Sequence, residues 1–250
     1  MRASMNSRDR LALFAVASKL LQYPDEELVE CLEPMEQVAA GLPAASRRQL
    51  VAFLAYLHSR PLLELQTAYT DTFDLRQRNC LHLTFSKTGD TRGRGMALWR
   101  FGDMYRRHGL SLQARELPDF LPALLELCVE VEIEPRQREI ANPEPFDLLV
   151  QYRPEIHLLR LSLESDHSPY AALVAAIEAA LPAVDAEVAA EARRLALEGP
   201  PREQVGIAPD FRWLAGEPPP CAGELPLDEA GMPLLEAGMP FGEDALEVRR

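Results

Sequence analysis

The chain has 250 residues, 47% of them hydrophobic, and a formal net charge of −13. That length can bury one substantial core or two small ones, and the negative field disfavours general binding to nucleic acid or to anionic lipid. Cys31, Cys80, Cys128 and Cys221 lie far apart with no CxxC pair, which argues against a zinc or iron–sulfur site and against a disulfide framework.

In chain order, nearly every segment reads as helix. Arg2, Arg8 and Arg10 precede the short apolar run LALFAVA, which resembles a signal peptide. Lys19 and the helical spacing of Leu11, Phe14, Ala15, Leu21 and Tyr23 favour an amphipathic first helix instead. No stretch approaches the roughly 20 apolar residues of a membrane-spanning helix, so a soluble, cytoplasmic protein is expected. Asp25-Glu26-Glu27 caps a second helix that carries Leu28, Leu32 and Met35, tolerates or bends at Pro34 and stops near Gly41. Ser46-Arg47-Arg48-Gln49 has the form of a capping box. After Pro61, LLELQTAYTDTFDL reads as one helix.

Thr91 to His108 is a further helix, closed by Gly109, with Asp90 or Thr91 as its N-cap. A helix comes next from Pro118 to about Glu132, although VEVEI at 129–133 alternates like a strand. Asn142-Pro143-Glu144 supplies a cap and an N1 proline for a helix that breaks or bends at Pro154 and runs to Leu163. Ser168-Pro169 opens another, and Pro182 separates it from a last helix ending near Gly199. Residues 200–250 hold nine of the 21 prolines and two copies of EAGMP, at 229–233 and 236–240. Such a composition buries too little apolar surface to offset its ordering entropy. The expected fold is an all-α single helical-bundle domain over residues 1–199, with a flexible, acidic Pro/Gly-rich C-terminal tail over 200–250.

Catalytic signatures are weak. The turn Gly89-Asp90-Thr91-Arg92-Gly93-Arg94-Gly95 lacks the G-K-[ST] ending of a P-loop and the third glycine of a dinucleotide fingerprint, and no strand precedes it. A helix N-terminus can hold an anion even so. Glu164-Ser165-Asp166-His167 is the single Glu-x-x-His of a di-iron type and falls at a helix end. His58, His82, His108 and His157 are isolated, and no nucleophile elbow is present. The sequence is read as that of a non-enzyme, with no metal or cofactor required. Between residues 72 and 108, eight basic residues face three acidic ones, and seven of the eight are arginine, the side chain whose planar fork suits carboxylates and aromatic planes.

The string Tyr69-Thr70-Asp71-Thr72-Phe73-Asp74-Leu75, then Leu83-Thr84, then Gly89-Asp90-Thr91-Arg92-Gly93-Arg94-Gly95-Met96-Ala97-Leu98, resembles the NarJ family. So do Phe101, Tyr105, Glu116-Leu117-Pro118-Asp119-Phe120-Leu121-Pro122, Arg153-Pro154, Leu158 to Leu163 and Ser168-Pro169-Tyr170-Ala171-Ala172. These are the assembly chaperones of respiratory nitrate reductase, often called its delta subunit, within the wider TorD and DmsD group. The resemblance covers roughly residues 8–185. It departs at Phe120, where the family commonly has histidine, and it extends only loosely into the tail.

That resemblance implies a cytoplasmic chaperone that binds the apo catalytic (alpha) subunit of nitrate reductase, mainly by its N-terminal segment. It implies that the client stays competent for molybdenum cofactor and iron–sulfur insertion before membrane attachment, in contact with cofactor insertion proteins. Nucleic acid and direct membrane insertion are not expected. Tyr69 and Phe73, four residues apart, share a helix face and are expected to line an apolar groove. Asp71, Asp74 and Asp90 are expected to meet basic client side chains, while Arg92 and Arg94 fix the turn or client carbonyls. Tyr105, Glu116 and Asp119 complete the candidate set. For each of these residues core packing, capping or internal ion pairing is an equal alternative. Two other readings stay open: a chaperone for a different molybdoenzyme, and an all-α nucleotide-binding protein using the GDTRGRG turn.

Overall fold

A computed structural model describes residues 5–89, 91–112, 116–133 and 144–201, and among these it holds twelve α-helices and no strand. They are α1 Ser7–Leu20, α2 Glu26–Glu30, α3 Leu32–Ala40, α4 Ala44–His58, α5 Leu62–Tyr69, α6 Phe85–Thr88 and α7 Arg92–Arg107. Then come α8 Leu121–Ile133, α9 Pro145–Gln151, α10 Arg153–Ser165, α11 Tyr170–Ala180 and α12 Ala186–Glu198. The fold is all-α. Beyond Pro201 the tail lies outside the described residues.

Polar caps set several helix starts. Asn6 accepts the Asp9 amide at 2.8 Å, Asp25 accepts that of Leu28 at 2.8 Å, and Asp185 accepts that of Val188 at 2.9 Å. Gly109 ends the turn after α7 at φ +69° and Gly199 comes after α12 at φ +67°, conformations that cost glycine little. α8 is apolar on nearly all sides, with Leu121, Leu124, Leu125, Leu127 and Cys128 buried and only Glu126, Glu130 and Glu132 exposed among residues 121–132. The apparent alternation at 129–133 is therefore the local rhythm of a central helix. Around it, α1 packs along α8, α4 along α11, and α10 against α11 and α12.

Four expected boundaries move. The second helix is two, α2 and α3, because Pro34 in the first turn of α3 cannot donate and its ring excludes a continuous helix back to residue 30. Ser46 caps nothing; Ala44 and Ala45 extend α4 upstream, so Ser46 sits inside it and is 1% exposed. The cap of α9 is Glu144, in a capping box with Asp147 and with Pro145 at N1, two residues beyond the expected position. The segment after Pro61 is α-helical only to Tyr69, and a π-helical turn then spans Thr70–Asp74.

Candidate functional site

The π-turn gives the TDTFD string its structural role. The Leu75 amide reaches back to the Thr70 carbonyl at 3.1 Å, five residues away, which adds a residue to the turn and re-aims the side chains on it. Phe73 consequently points inward while Asp71, Asp74 and Leu75 face solvent. Tyr69 and Phe73 do share a face, with ring centroids 4.9 Å apart, but that face lies in the core. Both pack on Tyr170, with centroids at 6.0 and 4.8 Å, and Tyr170 in turn stacks on Phe53 at 4.8 Å. Tyr69 donates its hydroxyl to the Leu21 carbonyl at 3.0 Å.

Burial raises the Tyr69 hydroxyl pKa well above its ordinary value, and the carboxylates of Asp74 and Glu116 raise it further. Two acids distant in sequence thus both act electrostatically on one buried hydroxyl. Tyr23, half exposed at 51%, meets Tyr69 edge-on at 5.6 Å. Gln66 holds the adjoining turn by donating to the Pro24 carbonyl at 3.0 Å. Beside Tyr23 is a depression of about 100 Å³ lined by Leu28, Cys31 and Met35 and rimmed by Asp25, Glu27 and Lys19.

The loop carrying Glu116 is anchored by its other end. Leu83 donates its amide to the Asp119 carbonyl at 3.0 Å and Leu121 to that of Leu81 at 2.9 Å, forming an isolated antiparallel bridge between His82 and Phe120. Asp119 is fully buried. Its carboxylate accepts the Thr84 hydroxyl at 2.5 Å and the Thr84 amide at 3.2 Å, and His82 Nδ1 lies 3.0 Å away as the donor. Burial alone raises the pKa of this carboxyl. The hydrogen bonds from His82 and Thr84 outweigh it and hold the group below its ordinary value, as an anion. Asp119 is thus a clamp facing inward, whereas Glu116 and Leu117 (40% exposed) stand outward. Phe120 lies against the His82 ring at 5.4 Å.

The arginine-rich turn is arranged differently. Asp90 and the side chain of Arg92 lie outside the described residues. Thr91 is the N-cap of α7 by backbone geometry, but its hydroxyl donates to the Thr88 carbonyl at 2.7 Å. Arg94 rests over the Phe85 ring at 5.5 Å. Gly89, at φ +53°, has a Pro201 oxygen 1.8 Å from where a Cβ would sit, so the close approach of the chain after α12 is what demands glycine there. Tyr105 is buried, its hydroxyl without a hydrogen-bond partner among the described residues.

Among the exposed side chains of these elements are the apolar Tyr23, Leu75 and Leu117 and the carboxylates of Asp25, Glu27, Asp71, Asp74 and Glu116. Of the residues singled out from sequence, Asp71, Asp74 and Glu116 are outward, Tyr69, Phe73, Tyr105 and Asp119 form the buried support, and Arg94 belongs to the neighbouring helix. Sequence reasoning missed Tyr23, Leu75, Leu117 and the clamp partners His82 and Thr84 as site residues. Thr84 and Leu117 lay within the recognisable strings, and an exposed leucine after TFD was the available signal. No group of three or more His, Cys, Asp or Glu side chains is placed to hold a metal among the described residues. Nor is any helix among them long and apolar enough to cross a membrane.

Comparison with known proteins gives this surface a context. The family model for the nitrate reductase delta subunit matches residues 39–176, more than half of the chain. The chain belongs to the nitrate reductase delta subunit family. Within it, the nitrate reductase molybdenum cofactor assembly chaperone NarJ of Escherichia coli K12 is 32% identical over 180 residues, covering 70% of this chain and 72% of NarJ. The probable chaperone NarJ of Bacillus subtilis is 31% identical over 178 residues, covering 71% of this chain and 92% of the relative. The nitrate reductase-like protein NarX of Mycobacterium tuberculosis is 35% identical over 161 residues, but the chain spans 23% of NarX. The delta subunit match takes in the π-turn, the Asp119 clamp and α7 together.

Proposed function

We propose that this protein is a dedicated assembly chaperone and not a catalyst. Its client is the apo catalytic subunit of a respiratory nitrate reductase, held in the cytoplasm mainly through an N-terminal segment until the molybdenum cofactor and iron–sulfur centres are inserted and the enzyme attaches to the membrane. The NarJ relatives, named for nitrate reductase molybdenum cofactor assembly, support the class of function. The observation that carries the binding mode is the set of exposed apolar side chains Tyr23, Leu75 and Leu117, each with an exposed acid one or two residues away, Asp25, Asp74 and Glu116. Exposed apolar anchors within an acidic rim fit an amphipathic segment with basic residues, in the helix-in-groove manner.

Calorimetry of a peptide from the N-terminus of the nitrate reductase catalytic subunit of the same organism tests this. Binding in the micromolar range or tighter is expected, weakening about tenfold, roughly 1.4 kcal/mol, for Asp74→Lys or Glu116→Lys and for Leu75→Ser. Tyr69→Ala is a poor probe, because removing a buried aromatic costs about 3–5 kcal/mol of stability. If the peptide does not bind and a leader from another molybdoenzyme does, the client changes. If neither binds, the docking surface is refuted.

A further inference from the structure

A second surface, of opposite charge, lies on α7. One face of this helix, Phe101, Met104, Tyr105 and His108, is buried. The other presents Met96 at 63% and Trp99 at 57% exposure, continued along the same stripe by Arg100, Arg106 and Arg107. The single acid on that stripe, Asp103, is shared by Arg106 at 3.3 Å and Arg107 at 2.9 Å, which leaves the stripe positive within a molecule of −13. Arg106 also stands 5.9 Å from the Trp99 ring. An exposed tryptophan with methionine and arginine around it is the residue chemistry of interface hot spots.

The glycines supply an independent observation. Gly95 and Gly102 lie within α7 on either side of Trp99, and a Cβ added at either would meet nothing within 4 Å among the described residues. Each costs roughly 1 kcal/mol relative to alanine inside a helix, and no packing among the described residues requires either. They are seven residues apart, about 10 Å along the axis, and they leave two backbone notches flanking the indole.

We propose that this face docks an acidic amphipathic helix of another protein. The apolar ridge of that helix would seat on Met96 and Trp99, its backbone would approach at Gly95 and Gly102, and its carboxylates would meet Arg100, Arg106 and Arg107. The charge rules out the basic segment that suits the surface around Tyr69, so the two faces take different partners. The overall charge of −13 disfavours a nucleic acid here.

The probes are two synthetic amphipathic helices of about 20 residues, sharing one leucine stripe and flanked by Glu in one and by Lys in the other. The reporter is Trp99 emission in the full chain carrying Trp213→Phe. The Glu helix is expected to bind and shift the emission to shorter wavelength, with affinity falling about tenfold from low to high salt. Arg100→Glu is expected to weaken it by about the same factor. Gly95→Ala and Gly102→Ala separate docking from folding: each raises the thermal midpoint, since alanine is the better helix former and the space is open, and each lowers affinity. Equal or tighter binding of the Lys helix, or no binding of the Glu helix, overturns the proposal. So does a concentration-dependent dimer abolished by Trp99→Ala, which gives the face to a second copy. Saturable binding of single-stranded DNA at Trp99 gives it to nucleic acid and overturns the proposal equally.

Discussion

Asp119 shows how a single buried charge organises a surface it never reaches. Thr84 supplies a hydroxyl at 2.5 Å and an amide at 3.2 Å, and His82 a ring nitrogen at 3.0 Å. An asparagine keeps the shape but faces at least one of these donors with its own NH2 group. Hydrogen bonds to a charged group contribute about 1.5–3 kcal/mol, so Asp119→Asn is expected to lower stability at neutral pH by roughly 2 kcal/mol in urea unfolding. The pH dependence has a definite sign. The carboxyl pKa is lowered in the folded state, so its contribution is complete above the ordinary carboxylate value near 4 and disappears as pH falls through the depressed folded value. The Asn variant should show a shallower acid limb. It should also speed exchange of the Leu83 and Leu121 amides, which a remote destabilisation would not select. The family resemblance put Asp119 in the candidate binding set, with an internal role as an equal alternative; that its carboxylate turns inward depends on the bridge to residues 81–83, a pairing nearly forty positions away that no local pattern reveals.

Helices were legible where a cap, a proline or a glycine marks them, and the hydrophobic period gave the all-α class. Illegible were events set by non-local packing. The π-turn at Thr70–Asp74 reads as ordinary helix, because only the seating of Phe73 on Tyr170 decides its extra residue. α12 was expected as the last helix, but its packing on α10, where Ala192 and Leu195 are buried, was not. On α10, Glu155 is 4% exposed and one of its carboxyl oxygens has no hydrogen-bond partner among the described residues. Burial, above all, pushes its pKa up to about 7; Lys87 and Arg194 pull it down while Glu191 pushes it up. A carboxyl whose folded value is raised favours folding below its unfolded value, and that advantage is lost as pH rises through about 7. The native protein should therefore lose stability between about pH 4.5 and 7, by a few kcal/mol at most. Glu155→Gln should flatten that slope and raise the midpoint at pH 8. Hydrogen exchange should locate the gain in α10 and α12. An unchanged slope in the variant would show that Glu155 is solvated after all.

At the scale of the molecule the charge is uneven: an overall −13, exposed carboxylates one or two residues from each of Tyr23, Leu75 and Leu117, and arginines gathered on α7. The negative total was visible in composition, and so was the local excess of arginine. The acidic rim was only half visible, since Asp71 and Asp74 are neighbours in sequence whereas Glu116 joins them through folding. For a basic peptide approaching this rim, the long-range field acts before contact and the apolar anchors act after it. The two contributions separate kinetically. Stopped-flow association of the client peptide should slow by about tenfold between low and physiological salt, while dissociation changes little. Asp74→Asn and Glu116→Gln should reduce both the association rate and its salt dependence. Leu75→Ser should leave association nearly unchanged and speed dissociation, because it removes buried contact without altering the field. If salt acted on dissociation instead, the carboxylates would be desolvated contacts at the centre of the interface, and the apolar anchors would have to lie elsewhere on the chain.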